Sequence, residues 1–421
     1  MVTKILKRYP AYKDSGIEWI GNVPSDWQVN RLKTFCFFTY GDSLANEDRV
    51  EGNIPVYGSN GVVGYHNKAI THKPCIIIGR KGSYGKVNFS RTECFPIDTT
   101  YFVDNHSAKC DLKWLNYVLP LLELDKFSKD TGVPGLNRED AHNKRVPIPE
   151  TDVQNSIAKY LDFKITQIDS LVAKKERMIE LLKEERTAII NRAVTKGLNP
   201  NAELKNTGIE WLGKIPKHWE IKKLKYLVHE KLEYGANEVA ELDYQDLPRY
   251  IRITDFDDDG NLREDTFKSL SEDKAREYLL NEGDILFARS GATVGKTFQF
   301  KNYTGKACFA GYLIKARPNK EILLSDFLYF YTRSNAYENW KNSIFNQATI
   351  QNIGADKYSV LSLPLPSAAE QGRIVNFIIV KCKRIDGIIL REQRSLKLLK
   401  EYRVTLISEV VTGKIDVRGR V

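Results

Sequence analysis

The sequence predicts a mixed protein of the α/β (α+β) class, in which two similar domains are joined by a pair of long antiparallel helices with internal two-fold pseudo-symmetry. Three observations lead to this prediction. The chain repeats two of its segments in the same order, each copy carries a long apolar stripe of helical period, and short strand-like runs stand beside glycine-rich turns between the repeated segments.

The first repeated segment reads SGIEWIGNVPSDWQVNRLK at 15–33 and TGIEWLGKIPKHWEIKKLK at 207–225, an offset of 192 residues. The second repeated segment begins VPIP at 146 and LPLP at 363, an offset of 217 residues. We call these repeated segments the frame. A constant frame around two unlike stretches of chain predicts two related but different recognition surfaces on one polypeptide.

The frame encloses a first insert, residues 34–146, and a second insert, residues 226–363. Both inserts combine apolar runs of strand length with apolar runs of helical period. The expected strands are CIIIG (75–79) and DILFA (284–288), and the expected helical stretches are 111–123 and 324–340. The aromatic residues of those helical stretches are better explained by core packing than by base stacking.

A long amphipathic helix is predicted from about 150 to 194, and a second one 217 positions later. Each stripe is too long to be covered by one small domain, so each helix should bury it against the other helix. The predicted core of this helix pair comprises Ile157, Leu161, Ile168, Val172, Ile179, Leu182, Ile189, Ile374, Ile378, Ile385, Ile389, Leu396, Leu399 and Leu406. Prolines before each helix then divide the chain into four predicted segments: 1–146, 147–197, 198–363 and 364–421.

Composition and cysteine placement exclude several classes of protein. No apolar run is long enough to span a membrane and the N-terminus lacks a signal sequence, so a cytoplasmic protein is expected. The six cysteines form no C-x-x-C pair, which argues against a disulfide framework or a zinc cluster. His106 and Cys110 could be two metal ligands on a helix, but core and surface roles are the better explanation, so no metal is predicted.

The net charge of +10 is modest for 421 residues, but its distribution indicates a polyanion partner. Residues 52–92 and 285–320 contain no Asp or Glu, and a phosphate-facing surface must exclude carboxylates. Buried strands poor in acids would explain one such window, but two at matching places favour nucleic acid. The candidate DNA contacts are Lys68, Lys73, Arg80, Lys81, Ser83, Tyr84, Lys86, Arg91, Arg289, Ser290, Thr293, Lys296, Lys301 and Lys306.

Each acid-free window contains one glycine-rich stretch, GRKGSYGKV at 79–87 and ARSGATVGK at 288–296. The two stretches share an Arg, two Gly and a Lys. Glycines let a backbone approach a phosphate closely, and Arg can reach phosphate oxygens or the edge of guanine. The alternative is a tight hairpin turn with solvated charges. Only three residues separate Gly291 from Gly295, whereas a nucleotide-binding P-loop needs four, so nucleotide hydrolysis is rejected. We find no catalytic residues and expect no cofactor.

The frame motifs, together with IPVYGSNGVVGY (54–65), PGLNRED (134–140) and IRITDFDDDGNL (251–262), closely resemble the specificity subunit of type I restriction-modification systems. The resemblance covers nearly the whole chain. It implies two target-recognition domains that each read one half of a split, asymmetric sequence in double-stranded DNA. It also implies a coiled coil that sets the spacing, two modification (methyltransferase) subunits on the helical frame, and restriction subunits joining through the complex. A stand-alone bipartite repressor or architectural protein, and a self-contained DNA methyltransferase, are the alternatives.

Overall fold

The computed structural model describes residues 7–126, 134–257, 260–291, 293–345 and 352–420. Its contacts divide the chain into two compact units. The first unit comprises Met1–Glu176 and Arg394–Val421, and the second comprises Arg177–Gln393. Each unit therefore contains one frame repeat, one insert and part of both long helices. The four-segment division stays a prediction, and its first six residues and Val421 lie outside the described residues.

The first unit is built from short strands that precede and follow two short helices. Its strands are β1 (Tyr12–Asp14), β2 (Asn22–Pro24), β3 (Gln28–Arg31), β4 (Thr39–Tyr40), β5 (Ile54–Gly58), β6 (Gly61–His66), β7 (Cys75–Gly79), β8 (Val87–Ser90), β9 (Phe95–Pro96), β10 (Thr100–Val103) and β11 (Arg145–Ile148). Its short helices are α1 (Leu112–Val118) and α2 (Arg138–His142). The first long helix, α3 (Thr151–Lys196), then begins in this unit and ends in the second.

The described residues of the second unit repeat this order with fewer strands and more helical turns. Its strands are β12 (Leu204–Asn206), β13 (Lys214–Pro216), β14 (Glu220–Lys223), β15 (Glu233–Tyr234), β16 (Arg249–Ile251), β17 (Ile285–Ala288), β18 (Thr297–Gln299), β19 (Ala307–Phe309), β20 (Leu313–Ala316) and β21 (Ser362–Leu365). Its helices are α4 (Glu272–Ala275), α5 (Ser325–Tyr331), α6 (Asn335–Phe345), α7 (Ala355–Ser359) and the second long helix, α8 (Ala368–Val411). No helix of the described residues is both long and apolar enough to cross a membrane.

The strands expected at 75–79 and 284–288 are confirmed, the second beginning one residue later. The two expected helical stretches are shorter than predicted. α1 ends at Val118 and continues as a 3-10 turn because Pro120 cannot donate an intrahelical hydrogen bond. The other stretch breaks into α5 and α6 because the Ser334 hydroxyl bonds the Tyr331 carbonyl and accepts from the Tyr337 backbone N–H.

The frame repeats adopt the same local structure in both units. β1 pairs with β2 and β12 pairs with β13, both antiparallel, and β3 and β14 pair with β11 and β21 in the same way. Trp27 and Trp219 are each 1% exposed in the two cores. The β3–β11 and β14–β21 ladders bring the two ends of each insert side by side.

Each insert contains its own four-stranded sheet, and the two sheets have the same topology although the insert sequences differ. The first insert has the strand order β4-β10-β7-β8 and the second has β15-β20-β17-β18, with all neighbours antiparallel. Beside this sheet, β5 pairs with β9 in parallel, and β16 pairs with β19 likewise. Among the described residues, the first of these small sheets has a third strand, β6, which pairs with β5, and the second has two strands.

Each unit packs the N-terminal part of one long helix against the C-terminal part of the other. In the first unit Ile157, Leu161 and Ile168 share one core with Leu406 and Val410. In the second unit the corresponding core holds Ile190, Val194, Ile374, Ile378 and Cys382. None of the fourteen predicted helix-pair core residues is exposed; Val172, Leu182, Ile189, Ile389 and Leu399 are half-buried and the other nine are buried.

One repeated glutamine joins each long helix to its insert. The Gln154 side chain donates to the Pro149 carbonyl at 2.8 Å and accepts from the Asp111 backbone N–H at 2.8 Å. Gln371 makes the equivalent bonds to Pro366 at 2.9 Å and Leu324 at 2.8 Å. Both glutamines are buried, so removing either amide would leave backbone groups unpaired. The glutamine therefore sets the orientation of the helix relative to the insert in each unit.

Candidate nucleic-acid interface

The two basic, glycine-rich stretches form equivalent hairpin loops. Residues 80–86 connect β7 to β8, and residues 289–296 connect β17 to β18. The first loop is closed by the Gly79 N–H to the Lys86 carbonyl at 2.8 Å, and the second by the Ala288 N–H to the Lys296 carbonyl at 2.9 Å. The backbone is thus the tight hairpin turn that the sequence analysis gave as the alternative. Any contact with DNA therefore depends on the side chains that the loop exposes.

The glycines of these loops have matched backbone conformations. Gly82 and Gly291 have φ of +74° and +79°, in the left-handed region that favours glycine. A Cβ at either position would meet no atom within 4 Å. These glycines are therefore required by backbone conformation, and they leave open space above the loop where another backbone could approach.

An arginine at the start of each loop lies over a tyrosine ring. In the first unit the Arg80 guanidinium carbon is 5.4 Å from the centroid of the Tyr40 ring, and Arg80 Nε donates to the Asp98 carbonyl at 3.0 Å. In the second unit the Arg289 guanidinium carbon is 4.8 Å from the Tyr234 centroid. We call these pairs the Arg–Tyr platforms. Stacking orients each guanidinium before any ligand arrives, which lowers the entropy lost on binding.

The tyrosines of the platforms are half in solvent, with exposures of 48% for Tyr40 and 43% for Tyr234. Each tyrosine is followed by a glycine whose Cβ would collide with a backbone carbonyl, at 2.2 Å for both Gly41 and Gly235. The glycine lets the tyrosine strand pass close to its neighbour. The Tyr-Gly dipeptide recurs at an offset of 194 residues. That repeat was the sequence signal for the platform, and our sequence analysis missed it.

Each platform is supported from below by a second segment. The Leu136 N–H donates to the Arg80 carbonyl at 2.8 Å, and the Ile353 N–H donates to the Arg289 carbonyl at 2.9 Å. In the first unit this segment also brings Arg138, whose guanidinium carbon is 4.9 Å from the Tyr40 centroid and 5.1 Å from the Phe37 centroid. Arg138, which sequence reasoning did not single out, is thus a second cation on the same ring.

A shallow cavity of about 270 Å³ opens between Tyr40, Arg80, Lys81 and Arg138. Tyr101 forms part of its wall and donates to the Leu136 carbonyl at 3.1 Å. Burial, aided by the hydrogen bond with Tyr40, raises the pKa of Tyr101 to about 12, so this phenol stays neutral and keeps its donor. The two arginines, Lys81 and the Tyr40 hydroxyl can together hold an anion or the acceptor edge of a base, and the Glu139 carboxylate also lines the cavity.

The remaining loop residues differ in their exposure and in the hydrogen bonds that they already form. Lys81 and Ser83 are exposed, whereas Tyr84 is half-buried and packs against the core of the unit. Lys86 bonds the Asn60 side chain at 2.6 Å, which ties the loop to the β5–β6 turn. In the second loop Lys296 is exposed, and Ser290 forms a backbone bridge with Asn352. Thr293 accepts a backbone bond from Lys296 at 2.9 Å.

Several other predicted contacts lie away from the loops. Lys73 and Arg91 flank the opposite end of the β7–β8 hairpin, and Lys68 lies in the connection between β6 and β7. In the second unit Lys301 pairs with Asp326 at 2.8 Å and Lys306 pairs with Glu272 at 2.8 Å. The structure thus brings the loop residues of each window together and separates them from the lysines and arginine farther along the sequence.

A sequence model described as the type I restriction modification DNA specificity domain matches the chain twice, at residues 24–181 and 216–386. Each match contains one insert, one platform and the first part of one long helix. The two matches together cover more than three quarters of the chain.

Two curated relatives match along most of their length. The type I restriction enzyme MjaVIII specificity subunit of Methanocaldococcus jannaschii is 23% identical over 429 residues, covering 94% of this chain and 95% of the relative. The type I restriction enzyme EcoBI specificity subunit of Escherichia coli is 21% identical over 391 residues, covering 89% and 80%.

Two solved structures share the fold. A chain from a structural study of complex assembly and conformational transition in a type I restriction-modification system gives a TM-score of 0.72 at 14% identity, covering 93% of this chain and 99% of the other. The HsdS subunit of Thermoanaerobacter tengcongensis gives 0.55 at 15% identity, covering 93% and 98%. At these identities the likeness establishes the fold alone.

Proposed function

The chain belongs to the family of type I restriction modification DNA specificity proteins, and from this premise we propose that it is the non-catalytic subunit that selects a bipartite DNA target. Each unit reads one half-site through its insert, and methyl transfer and cleavage are performed by partner subunits. The observation that carries the proposal is the pair of equivalent Arg–Tyr platforms, one on each insert.

The chemistry of the platforms suits DNA. A stacked arginine presents a planar fork of donors that can bond guanine O6 and N7 or two phosphate oxygens, and a lysine beside it adds charge without fixing a base. The two loops share their arginine, two glycines and final lysine, but they differ at the positions between these, such as Lys81 against Ser290 and Ser83 against Thr293. Shared residues predict a common mode of contact, and different neighbours predict different half-sites.

The long helices provide the spacing between half-sites in this proposal. α3 has 46 residues and α8 has 44, so each helix is roughly 65–70 Å long at 1.5 Å per residue. Within each unit the two helices share a continuous apolar core, which makes the pair stiffer than a single helix. A stiff pair turns a length of protein into a fixed number of unread base pairs.

We further propose that the modification subunits dock on exposed apolar residues of the long helices. Phe163 and Leu398 are 51% and 64% exposed in the first unit, and Val380 and Leu181 are 59% and 48% exposed in the second. Phe163 and Val380 are equivalent by the offset of 217, as are Leu181 and Leu398. Exposed apolar side chains at repeat-equivalent positions are expected where two copies of one partner bind.

Methylome sequencing tests the central proposal. The chain is co-expressed with the modification subunit of its own system, in a host without other adenine or cytosine methylation. We expect one split, asymmetric motif with an unread spacer. A continuous motif would contradict two separate recognition surfaces, and methylation by the purified chain without a partner would establish the methyltransferase alternative instead.

A further inference from the structure

Two histidines and an aspartate of the first unit meet at the end of the central sheet that lies away from the hairpin loop. His72 precedes β7, and Asp104 and His106 follow β10. One ligand atom from each residue lies within 4.8 Å of the others, and the two imidazole centroids are 4.1 Å apart. Sequence spacing does not reveal this cluster because 34 residues separate the histidines.

The Asp104 carboxylate forms hydrogen bonds with the backbones of both histidines. The Asp104 side chain is buried, and its carboxylate accepts the backbone N–H of His72 at 3.1 Å and of His106 at 3.0 Å. Burial acts to raise the pKa of Asp104, but these backbone bonds outweigh it and hold the pKa below its ordinary value. A fixed, ionised carboxylate therefore positions the backbones of both histidines.

The histidine side chains face an open space. His72 and His106 are exposed, and both line a cavity of about 570 Å³ together with Lys33, Phe37 and Lys109. His72 Nδ1 is 3.2 Å from Asp104 Oδ2. A cation can thus reach all three side chains from solvent, and small rotations of two exposed imidazoles would close the ligand set.

The second unit has a different arrangement at the equivalent strand ends. Arg317 follows β20 as Asp104 follows β10, and its Nε donates to Asp284 Oδ1 at 2.8 Å. This ion pair of opposite charges occupies the place of the three-residue cluster. The feature therefore belongs to the first unit, and any ion it binds should be present once per chain.

We propose that His72, Asp104 and His106 bind one divalent transition-metal ion, with Zn²⁺ or Ni²⁺ as the best fit. Two imidazoles and one carboxylate suit these ions, whereas Mg²⁺ and Ca²⁺ prefer oxygen ligands alone. Three protein ligands leave a position for water. Binding ties the segment before β7 to the segment after β10 and stabilises the first insert by mass action.

Cys110 is excluded from this ligand set. It lies outside the group formed by His72, Asp104 and His106, so the sequence-level pairing of His106 with Cys110 is replaced by that of His106 with His72. Burial raises the pKa of the Cys110 thiol to about 12, which keeps it protonated and a poor ligand. Cys36 lines the same cavity but is likewise buried, and its pKa is raised by burial.

Calorimetric titration of the chelator-treated full chain with Zn²⁺ tests the proposal. We expect one ion per chain, no binding of Mg²⁺, and affinity at least about tenfold weaker in both His72→Asn and His106→Asn. The exposed His229→Asn is the matched control and should bind as the parent chain does. Circular dichroism of the metal-free variants confirms that they are folded.

The result that overturns the proposal is equally specific. No Zn²⁺ binding by the parent chain, or unchanged affinity in either single variant, would exclude a site shared by both histidines. Substitution with Co²⁺ adds an independent readout, since a His₂Asp site gives visible absorption without a thiolate charge-transfer band. A thiolate band would place the ion on cysteine and refute the proposed ligand set.

Discussion

Arg403, near the end of α8, donates a hydrogen bond from its guanidinium Nε to Oδ1 of Asp169 in α3 at 2.8 Å. The offset of 217 carries this pair onto Arg186 and Asp386, which make the same contact at 3.0 Å in the second unit. The repeat thus preserves one ion pair between the two long helices, and this pair favours their antiparallel register within each unit.

Reversing the charge of Arg403 tests this register role. Arg403→Asp should lower the melting temperature of the full chain because it places two carboxylates together, and Asp169→Arg in the same chain should restore most of the loss. The pair is half-exposed, so we expect a coupling free energy of about 1 kcal/mol or less. Thermal unfolding of the four variants gives this coupling, and purely additive effects would contradict a direct interaction.

Each platform should control one half-site. Arg80→Ala and Arg289→Ala should each weaken DNA binding by the assembled methyltransferase by about 1–3 kcal/mol and relax the motif in different halves. Binding to a library of bipartite targets measures both effects. Relaxation of the same half by both variants would refute the assignment of one platform to each half-site.

Arg91 supplies a matched control for that experiment. It is an exposed arginine of the same acid-free window, but it lies at the far end of the β7–β8 hairpin from Arg80. Arg91→Ala should leave the motif unchanged and weaken all sequences alike, if it weakens any. A relaxed motif in this variant would move the reading surface to the other end of the sheet.

The spacer should follow the length of the long helices. Deleting residues 175–178 and 392–395 removes four residues at equivalent positions, about 6 Å of each helix. We expect a spacer shorter by about one to two base pairs with both half-sites retained, because DNA rises about 3.4 Å per base pair. Methylome sequencing reads the motif, and an unchanged spacer would contradict the helices' role in spacing.

Each modification subunit should dock on one of the two repeat-equivalent sets of exposed apolar residues. Phe163→Glu and Val380→Glu should each reduce the number of bound modification subunits from two to one, and the double variant should bind none. Light scattering of the purified complex measures this number. Val404→Glu is the control, because Val404 is 59% exposed but its repeat equivalent is the polar Thr187. Two subunits bound in every variant would refute the docking site.

Acidification should destabilise the first unit through His142. This side chain is 1% exposed, and its Nε2 accepts the Phe38 N–H at 3.0 Å. Burial lowers the pKa of His142; the Glu139 carboxylate opposes this shift and Arg138 and Lys33 add to it, so the net pKa is below the ordinary value and the folded protein favours the neutral imidazole. The unfolded chain takes up the proton near pH 6.5, so the stability due to His142 is complete above that pH and is lost below it.

Replacement by a neutral acceptor isolates that contribution. His142→Gln should lose less melting temperature than the parent chain between about pH 8 and about pH 5.5, because its amide oxygen can still accept the Phe38 N–H without protonation. The exposed His229→Gln should lose as much as the parent. Equal losses in the parent chain and His142→Gln would show that His142 does not contribute to the acid sensitivity.

Periodicity and repetition predict the long elements of this fold well. The helices span Thr151–Lys196 and Ala368–Val411, close to the expected limits, because apolar spacing persists over many turns and proline ends the preceding segment. The repeat likewise predicts matched loops at Arg80 and Arg289. These features depend on residues that are near one another in sequence or that recur at a fixed offset.

Contacts between distant residues could not be predicted in this way. Arg138 reaches Tyr40 across almost one hundred residues, and Lys306 turns out to pair with Glu272. A window without acids says nothing about carboxylates that arrive from elsewhere in the chain. The Tyr-Gly repeat marks the tyrosines of the platforms, but their contact with the arginines depends on strand pairing that places β4 beside β10 and β15 beside β20.

The β3–β11 and β14–β21 ladders make each insert an exchangeable cassette. Because the ladder fastens both ends of an insert at one place, cassettes of 113 and 138 residues already occupy equivalent positions in this chain. The similar frame segments on either side also provide matched boundaries for the exchange of one insert. A single exchange there would replace one half of the recognised word and leave the other half, the spacing and the partner contacts untouched.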